Sequence, residues 1–565
     1  MPLGRNPLQA PVRSVFGASD PAASGRGRGI VLAVAALAAL SGCERRPPAA
    51  SEPESRPRIG ILAEGAPKPD IIMIVVDALR ADRLGAYGHN GGLSPTMDAL
   101  AAAGVTFERC VSAAPWTLPS VATLFTSYYP GVHKATSYTV VSAMDSGRQA
   151  YQAVLSEQFQ TLAEVLQAAG YQTAGFCAAK FLRGEYGFGQ GFEHWDTSFA
   201  ENTVRGEVVN RALFDWVDRQ RDASRPLFVY LHYMDVHGPY NAAPRFMDPL
   251  MEQVEANPHK QLLTPKEFAA INQYLNVPPP EATDPGRHER LKGYREYWVA
   301  RYEAGVKEMD FYLGQLIEGL KSRGLWEQAY VIFTADHGEA LCEHGLWEHG
   351  YSQYQTDLHV PLVLRWPGML PAGKRIRRLA SLIDIMPTLL EQLRLPAGEE
   401  LQGRSLVDHV SDRLSDKPLV AFAEGIKSGP GQYALLTEAT KLIVTQIPAR
   451  PLPDGTMAQP SARPMLFNLA SDPGEKYDIA DQEPEIAKQM VQLMFQIVAK
   501  NRTLRPGVVT TTRPVDEATR RQLESLGYAG GTEEADEPAQ MPPAATQPAT
   551  APTGPGDAGH PGGSR

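Results

Sequence analysis

The chain has 565 residues, 43% of them hydrophobic and 21% charged, which is ordinary for a globular protein and enough for one large domain with a smaller companion. Lys and Arg number 54 against 64 Asp and Glu, a formal net charge of −10. That balance argues against sequence-independent binding to nucleic acid, which depends on many cationic contacts to phosphate, so no nucleic-acid partner is expected.

Arg26 and Arg28 precede a short apolar run, Ile30 to Leu40, which ends in Leu40-Ser41-Gly42-Cys43. A basic flank, an apolar core and small residues at the end describe a secretory signal. The run is too short to cross a bilayer core of ~30 Å as a helix. The small-residue site ending in Cys resembles the bacterial lipobox. It implies removal of residues 1–42, lipidation of Cys43, and an extracytoplasmic protein, periplasmic or on the cell surface, held to the membrane by that anchor. Residues 43–67 are rich in Pro, Glu and Ser and read as a disordered tether. Cys110, Cys177 and Cys342 are the remaining cysteines. Three thiols cannot all pair, so no disulfide framework is expected, with room for one bridge in an oxidising compartment.

Ile71-Ile72-Met73-Ile74-Val75-Val76 is a continuous β-branched apolar run, as expected of a strand covered on both faces. Similar runs are Leu227–Leu231, Tyr330–Thr334 and Val360–Leu364, and helical patterns lie between them at Thr161–Ala169, Val208–Arg221 and Tyr302–Leu320. The alternation predicts an α/β fold, a large mostly parallel sheet flanked by helices over residues 68–395. Residues 241–290 are polar and carry Pro244, Pro249, Pro258, Pro265 and Pro278-Pro279-Pro280, and read as an insertion walling or lidding a site. Asp384–Leu393 reads as the last helix of this domain. A smaller C-terminal α+β subdomain is expected over 396–530. Residues 531–565 are Pro, Ala, Thr and Gly without period, hence a disordered tail.

Open α/β sheets place ligands beyond the carboxyl ends of their strands. The first strand runs into Asp77, and the Tyr330 strand into Asp336-His337-Gly338-Glu339, with His344 and His349 close behind. Carboxylates with an imidazole suit Ca, Mn, Zn or Mg. One Asp after an apolar run is as ordinary as a turn residue; the combination is not.

Asp77-Ala78-Leu79-Arg80-Ala81-Asp82-Arg83-Leu84-Gly85-Ala86-Tyr87-Gly88, followed by Ser94-Pro95-Thr96-Met97-Asp98-Ala99-Leu100, resembles the first metal-binding segment of the sulfatase family in the alkaline-phosphatase superfamily. Thr334 to Gly345, with Trp347-Glu348-His349-Gly350, resembles the second. Tyr233-Met234-Asp235-Val236-His237-Gly238-Pro239-Tyr240 is similar to the family's middle histidine motif, and Leu466 to Glu475 to a segment of its C-terminal subdomain. The resemblance implies one divalent metal ion held by Asp77, Asp336 and His337 with the Thr117 oxygen as fourth ligand. It further implies catalytic roles for Thr117, His237 and His349, and substrate contacts for Lys180 and Arg80. Asp235 and His344 are expected to orient those groups.

Two departures matter. Where most sulfatases have C/S-x-P-x-R, with the Cys or Ser oxidised to formylglycine, this chain has Thr117-Leu118-Pro119-Ser120-Val121, and Ala78 stands where many have a second Asp. No formylglycine is expected. A threonine nucleophile is the rule in related phosphoryl-transfer branches, which favours phosphate or phosphonate esters beside sulfate esters. The expected function is a metal-dependent hydrolase of an anionic ester on a glycan, lipid or small molecule. Alternatives are a transferase moving a phosphoryl head group onto an envelope glycan or lipid, and a non-catalytic envelope binding protein with a degenerate sulfatase fold. Thr117 taken alone reads as a cap for the following helix; within this motif it reads as the nucleophile.

Overall fold

A computed structural model describes residues 59–143, 147–200, 204–255, 285–397, 401–413, 419–427, 431–447, 450–451, 457–458, 461–525 and 531–532. The leader, Cys43, most of the tether and residues 533–565 lie outside the described residues, as does 256–284 of the expected insertion.

The main sheet has eight strands: β1 (Ile71–Val76), β2 (Val105–Val111), β3 (Gln172–Cys177), β4 (His194–Asp196), β5 (Leu227–Tyr233), β6 (Tyr330–Ala335), β7 (His359–Arg365) and β8 (Lys374–Ser381), in the order β8-β2-β7-β6-β1-β5-β3-β4. β1 lies near the centre, and its six apolar side chains are wholly buried. Each such Val or Ile stabilises the fold by ~1.5–3 kcal/mol. Helices α1 (Pro95–Ala102), α2 (Thr117–Thr126), α3 (Leu162–Ala168), α4 (Gly206–Gln220), α5 (Pro285–Lys321) and α6 (Ile385–Gln392) flank the sheet. Phe125 of α2 packs edge-on to Tyr230 of β5, and the Phe192 and Trp195 rings lie against the same tyrosine.

Seven strands run in one direction and β7 runs against them, antiparallel to both β6 and β2. A parallel neighbour needs a crossover, usually a helix, to carry the chain back to the other end of the sheet. Residues 336–358 hold only two-residue strands and single helical turns, so the chain re-enters the sheet from the end at which it left. Part of the expected insertion is helical: Pro244–Glu255 packs on α5 through Ala242, Met247 and Ala304.

In the C-terminal part, β9 (Ala421–Glu424), β10 (Gln432–Leu436), β11 (Thr440–Ile447) and β12 (Ser461–Asn468) form an antiparallel sheet. Strand alternation gives it two apolar faces. Phe422, Leu435, Leu442 and Leu466 meet Met490, Met494 and Val498 of α7 (Pro484–Thr503), while Ala421, Ala434, Ile443 and Phe467 meet Val111, Leu358 and Leu379 of the main domain. A buried ion pair reinforces that junction: Lys441 Nζ lies 2.6 Å from Glu475 Oε1, and Glu475 Oε2 accepts the Gln355 amide at 2.6 Å. Cys110, Cys177 and Cys342 are all free thiols.

Glu424, at the end of β9, accepts the Gly131 amide at 2.7 Å and is buried. Burial pushes its carboxyl from 4.5 up to about 7. A raised acid pKa means that the folded state holds a proton the unfolded chain releases. The associated stability is present below pH 4.5 and is lost as pH rises to about 7, a loss on the order of 3 kcal/mol at ~1.4 kcal/mol per unit. Denaturant unfolding of Glu424→Gln, which keeps the acceptor without the charge, is therefore expected to show a flatter stability between pH 5 and 7. It should also show a higher midpoint than wild type at pH 8.

Candidate active site

Strand register builds the site. Val75 pairs with His232 and with Thr334, and Val76 with Tyr233 and Ala335, so Asp77 and Asp336 emerge at one level beyond β1 and β6. Side chains alternate along a strand, and paired residues of neighbouring strands share a face. Asp77, two residues past Val75, therefore shares a face with His232 and with Asp336. The ligand atoms of Asp77, His232 and Asp336 lie within 4.8 Å of one another. His337 joins them, with Nε2 3.3 Å from Asp77 Oδ1 and 3.6 Å from Asp336 Oδ2.

Thr117 comes from a helix. It is the first residue of α2, whose N-cap is Trp116 with no side-chain cap bond. The threonine hydroxyl is thus not used as a cap. Its Oγ1 lies 3.3 Å from Asp77 Oδ2 and 3.3 Å from His337 Nε2. Ser120, one turn along, donates to the Asp336 carbonyl and ties the helix to the strand end. Helix amides behind the hydroxyl favour an anion there.

The buried Asp77 Oδ1 and Asp336 Oδ2 make no hydrogen bond. Leaving buried carboxylate oxygens unmatched is costly, and a bound cation removes the cost. His337 Nδ1 faces the Gly338 carbonyl at 2.7 Å, which places its proton on Nδ1 and leaves Nε2 as a lone-pair donor. His232 Nδ1 meets the Tyr230 hydroxyl at 2.7 Å and Nε2 lies 3.1 Å from Asp77 Oδ2. With Nδ1 protonated it offers a further ligand; with Nε2 protonated it donates to Asp77. The donor set of two carboxylates, one or two imidazoles and a hydroxyl fits one divalent cation. Burial works to raise the Asp77 carboxyl, but the charge of His237 and the imidazoles of His232 and His337 beside it hold it well below the usual range. Burial and the neighbouring Asp77 push Asp336 up to about 6.

Three imidazoles form a row. The His337 and His349 rings are 4.2 Å apart, and those of His349 and His237 are 4.9 Å apart. Glu339 Oε1 lies 3.0 Å from His349 Nδ1 and fixes that ring. Burial, then the charges of His337 and His237, hold His349 well below the usual histidine value and keep it neutral. His237 Nδ1 faces the Gly238 carbonyl at 2.8 Å. Lys180 is buried past the end of β3, in a helical turn packed on α2.

Arg80, expected to contact substrate, has its guanidinium held by Asp82 at 2.7 Å, Glu343 at 3.1 Å and the Glu339 carbonyl at 2.9 Å. It pins the loop after Asp336, in which Cys342, His344 and Glu348 adopt positive φ of 77°, 55° and 60°. Such strain persists only where the surroundings impose it. Asp235 does not orient a catalytic group but accepts the Gly206 amide at 2.8 Å, at the start of α4. His344 is exposed and stacks on Tyr354 at 3.7 Å. His232 and Glu339 were missed as functional residues. A lone histidine in an apolar strand reads as core, and only the pairing register puts it beside Asp77.

Buried carboxylates, imidazoles and a hydroxyl gathered beyond the central strands of a mostly parallel sheet form a group that could hold a metal ion. The chain belongs to the sulfatase family, whose model matches residues 69–395. By that membership it is a hydrolase of sulfuric or phosphoric esters, with an anionic ester as substrate. Arylsulfatase K of Xenopus laevis is 25% identical over 483 residues, spanning 77% of this chain and 84% of that protein. The Homo sapiens arylsulfatase K is 24% identical over 490 residues, spanning 78% and 85%. Among solved structures, a protein in complex with its substrate D-glucosamine-2-N,6-O-disulfate has a TM-score of 0.59 at 18% identity, covering 77% of this chain and 98% of that one. The phosphonate monoester hydrolase of Agrobacterium radiobacter has a TM-score of 0.54 at 22% identity, covering 77% and 97%.

Proposed function

We propose that the protein hydrolyses sulfate, phosphate or phosphonate esters with the Thr117 hydroxyl as nucleophile, outside the cytoplasm and tethered through Cys43. The observation that carries this reading is Thr117 Oγ1 standing 3.3 Å from both Asp77 and His337, beside two carboxylate oxygens without hydrogen bonds. Asp77, Asp336, His337 and Thr117, with His232, would hold one divalent ion, Ca, Mn, Zn or Mg. When bound, the ion supplies Lewis acidity that eases deprotonation of the hydroxyl and offsets the charge of the ester.

The residues divide the remaining work. Thr117 Oγ forms a bond to the phosphorus or sulfur, and the bond to the ester oxygen breaks, its electron pair leaving with that oxygen. His349 is neutral with Nδ1 held by Glu339, so its Nε2 would take up the proton that Thr117 releases and hand it to the departing oxygen, and His237 stands ready as the second proton carrier. Water then attacks the phosphorus or sulfur, returning the hydroxyl to Thr117 and releasing the acid. A formylglycine hydrate can expel sulfate by collapsing to an aldehyde, an exit that threonine lacks. Attack of water at phosphorus is the easier second step, which favours phosphate and phosphonate esters. The similarity to a phosphonate monoester hydrolase supports that preference.

Purified protein assayed with aryl sulfates, phosphate diesters and phosphonate monoesters, with and without chelator, tests the reading; no metal-dependent turnover of any of them would sink it. The leaving-group role of His349 has its own signature. His349→Ala is expected to lower kcat by roughly 10²–10⁴-fold on esters of poor leaving groups. The loss should shrink towards unity for nitrophenyl esters, which depart without a proton, and an equal loss on both series would assign His349 to binding instead.

A further inference from the structure

One more cation reaches this pocket, from the C-terminal subdomain. After β9 the chain runs Gly425-Ile426-Lys427, and two hydrogen bonds dock this loop on the site. Trp116 Nε1 donates to the Gly425 carbonyl at 2.7 Å, and the Lys427 amide donates to the Gly350 carbonyl at 2.7 Å. Trp116 directly precedes Thr117 in the chain, and Gly350 directly follows His349. The loop therefore bridges the two segments that carry the nucleophile and the leaving-group imidazole.

The lysine stem lies across Gly350. A Cβ on that glycine would sit 2.9 Å from Lys427 Cβ, 3.3 Å from its Cδ and 3.4 Å from Trp116 Cβ, and its φ is +88°. A residue without a side chain is what allows the stem to pass so close to His349. The ammonium stands 5.2 Å from the centre of the Tyr351 ring and acts electrostatically on His237 and His349. Glu348 and Glu339 face it from the site loop. Val121, in contrast, is buried in α2 and brings no charge to the pocket.

We infer that Lys427 is a substrate-binding residue, a cation delivered by the C-terminal subdomain to an anionic oxygen of the ester. The inference rests on the ester-hydrolase reading of this pocket. An anionic oxygen taken into a water-poor space needs a positive partner, and an ammonium at the rim supplies one. Burial pushes the amine down to about 8, so it is still protonated at neutral pH, and a bound anion favours that state further. Specificity then depends on how the two domains are seated, because the lysine reaches the site only while β9 is packed on the main sheet.

The test uses the metal-loaded protein, with inorganic phosphate as probe in calorimetric titration and steady-state kinetics on the best ester substrate. Lys427→Met is expected to weaken phosphate binding and raise KM by about tenfold or more, the value of one charge-assisted contact. Lys427→Arg should recover most of the loss, and the melting temperature should stay near that of wild type. Should Lys427→Met not fold, Lys427→Gln carries the same comparison. A melting temperature that falls while phosphate affinity and KM hold would overturn the inference and leave the lysine a prop for Glu348. Wild type that binds phosphate through Lys427 yet turns over no ester would sink the hydrolase reading and leave the anion contact standing. Turnover by wild type with an unchanged Lys427→Met sinks the lysine assignment alone.

Discussion

Thr117→Ala is expected to reduce kcat/KM by on the order of 10⁴-fold or more, the loss seen when a covalent nucleophile is removed. The change should cost little stability. The hydroxyl caps nothing, since α2 begins from Trp116, and its neighbours are the site groups themselves, Asp77 and His337. Thr117→Ser should retain part of the activity, because it keeps the oxygen and loses only the methyl that fixes its rotamer. Wild type quenched during turnover should carry an adduct on Thr117, about 80 Da from a sulfate or phosphate monoester and the mass of the retained phosphonyl or phosphoester group from the other substrates. Labelled substrate then separates phosphorus from sulfur. An alanine variant with wild-type turnover would leave this fold as scaffold for different chemistry, or for binding alone.

Removal of the metal is the second large effect. Chelation is expected to reduce turnover to background, and added divalent ion to restore it while raising the melting temperature. A ligand at a hundred times its dissociation constant stabilises the folded state by about 2.7 kcal/mol. Asp336→Asn gives this a sign that ordinary destabilisation cannot imitate. Asp336 Oδ1 accepts the His337 amide at 2.9 Å and the Ala78 amide at 3.3 Å, and an asparagine oxygen can keep both. The other oxygen, Oδ2, has no hydrogen bond and lies beside Asp77. Without metal, Asp336→Asn should therefore unfold at a higher temperature than wild type, because a buried like-charge contact is gone. With metal the order should reverse. Titration of melting temperature against each cation checks both halves, and a variant less stable than wild type in chelator would refute the charge-repulsion account.

Much of this protein is legible in the chain itself. The unbroken apolar run Ile71–Val76 needs two covered faces, which specifies a central strand, and the alternation with helical periodicities specifies a mostly parallel sheet. Acids directly after two such runs place chemistry at the carboxyl edge, and Thr117 before Leu118-Pro119 falls at a helix start. Those are local properties: periodicity, branching at Cβ and motif spacing survive in a one-dimensional string.

What the string lacks is register and direction. His232 looks like a core residue until Val75 is paired with it, and the backward course of β7 depends on where the loop after Asp336 lets the chain return. Arg80 carries a charge that suits an anionic substrate as well as it suits Asp82 and Glu343, and only their approach to 2.7 and 3.1 Å assigns it to the loop. Lys427 stands more than 300 residues from Thr117 in sequence, and packing of one sheet on another brings it to the same pocket. Pairing between strands and docking between domains depend on atoms far apart in the chain, so three-dimensional structure alone decides them.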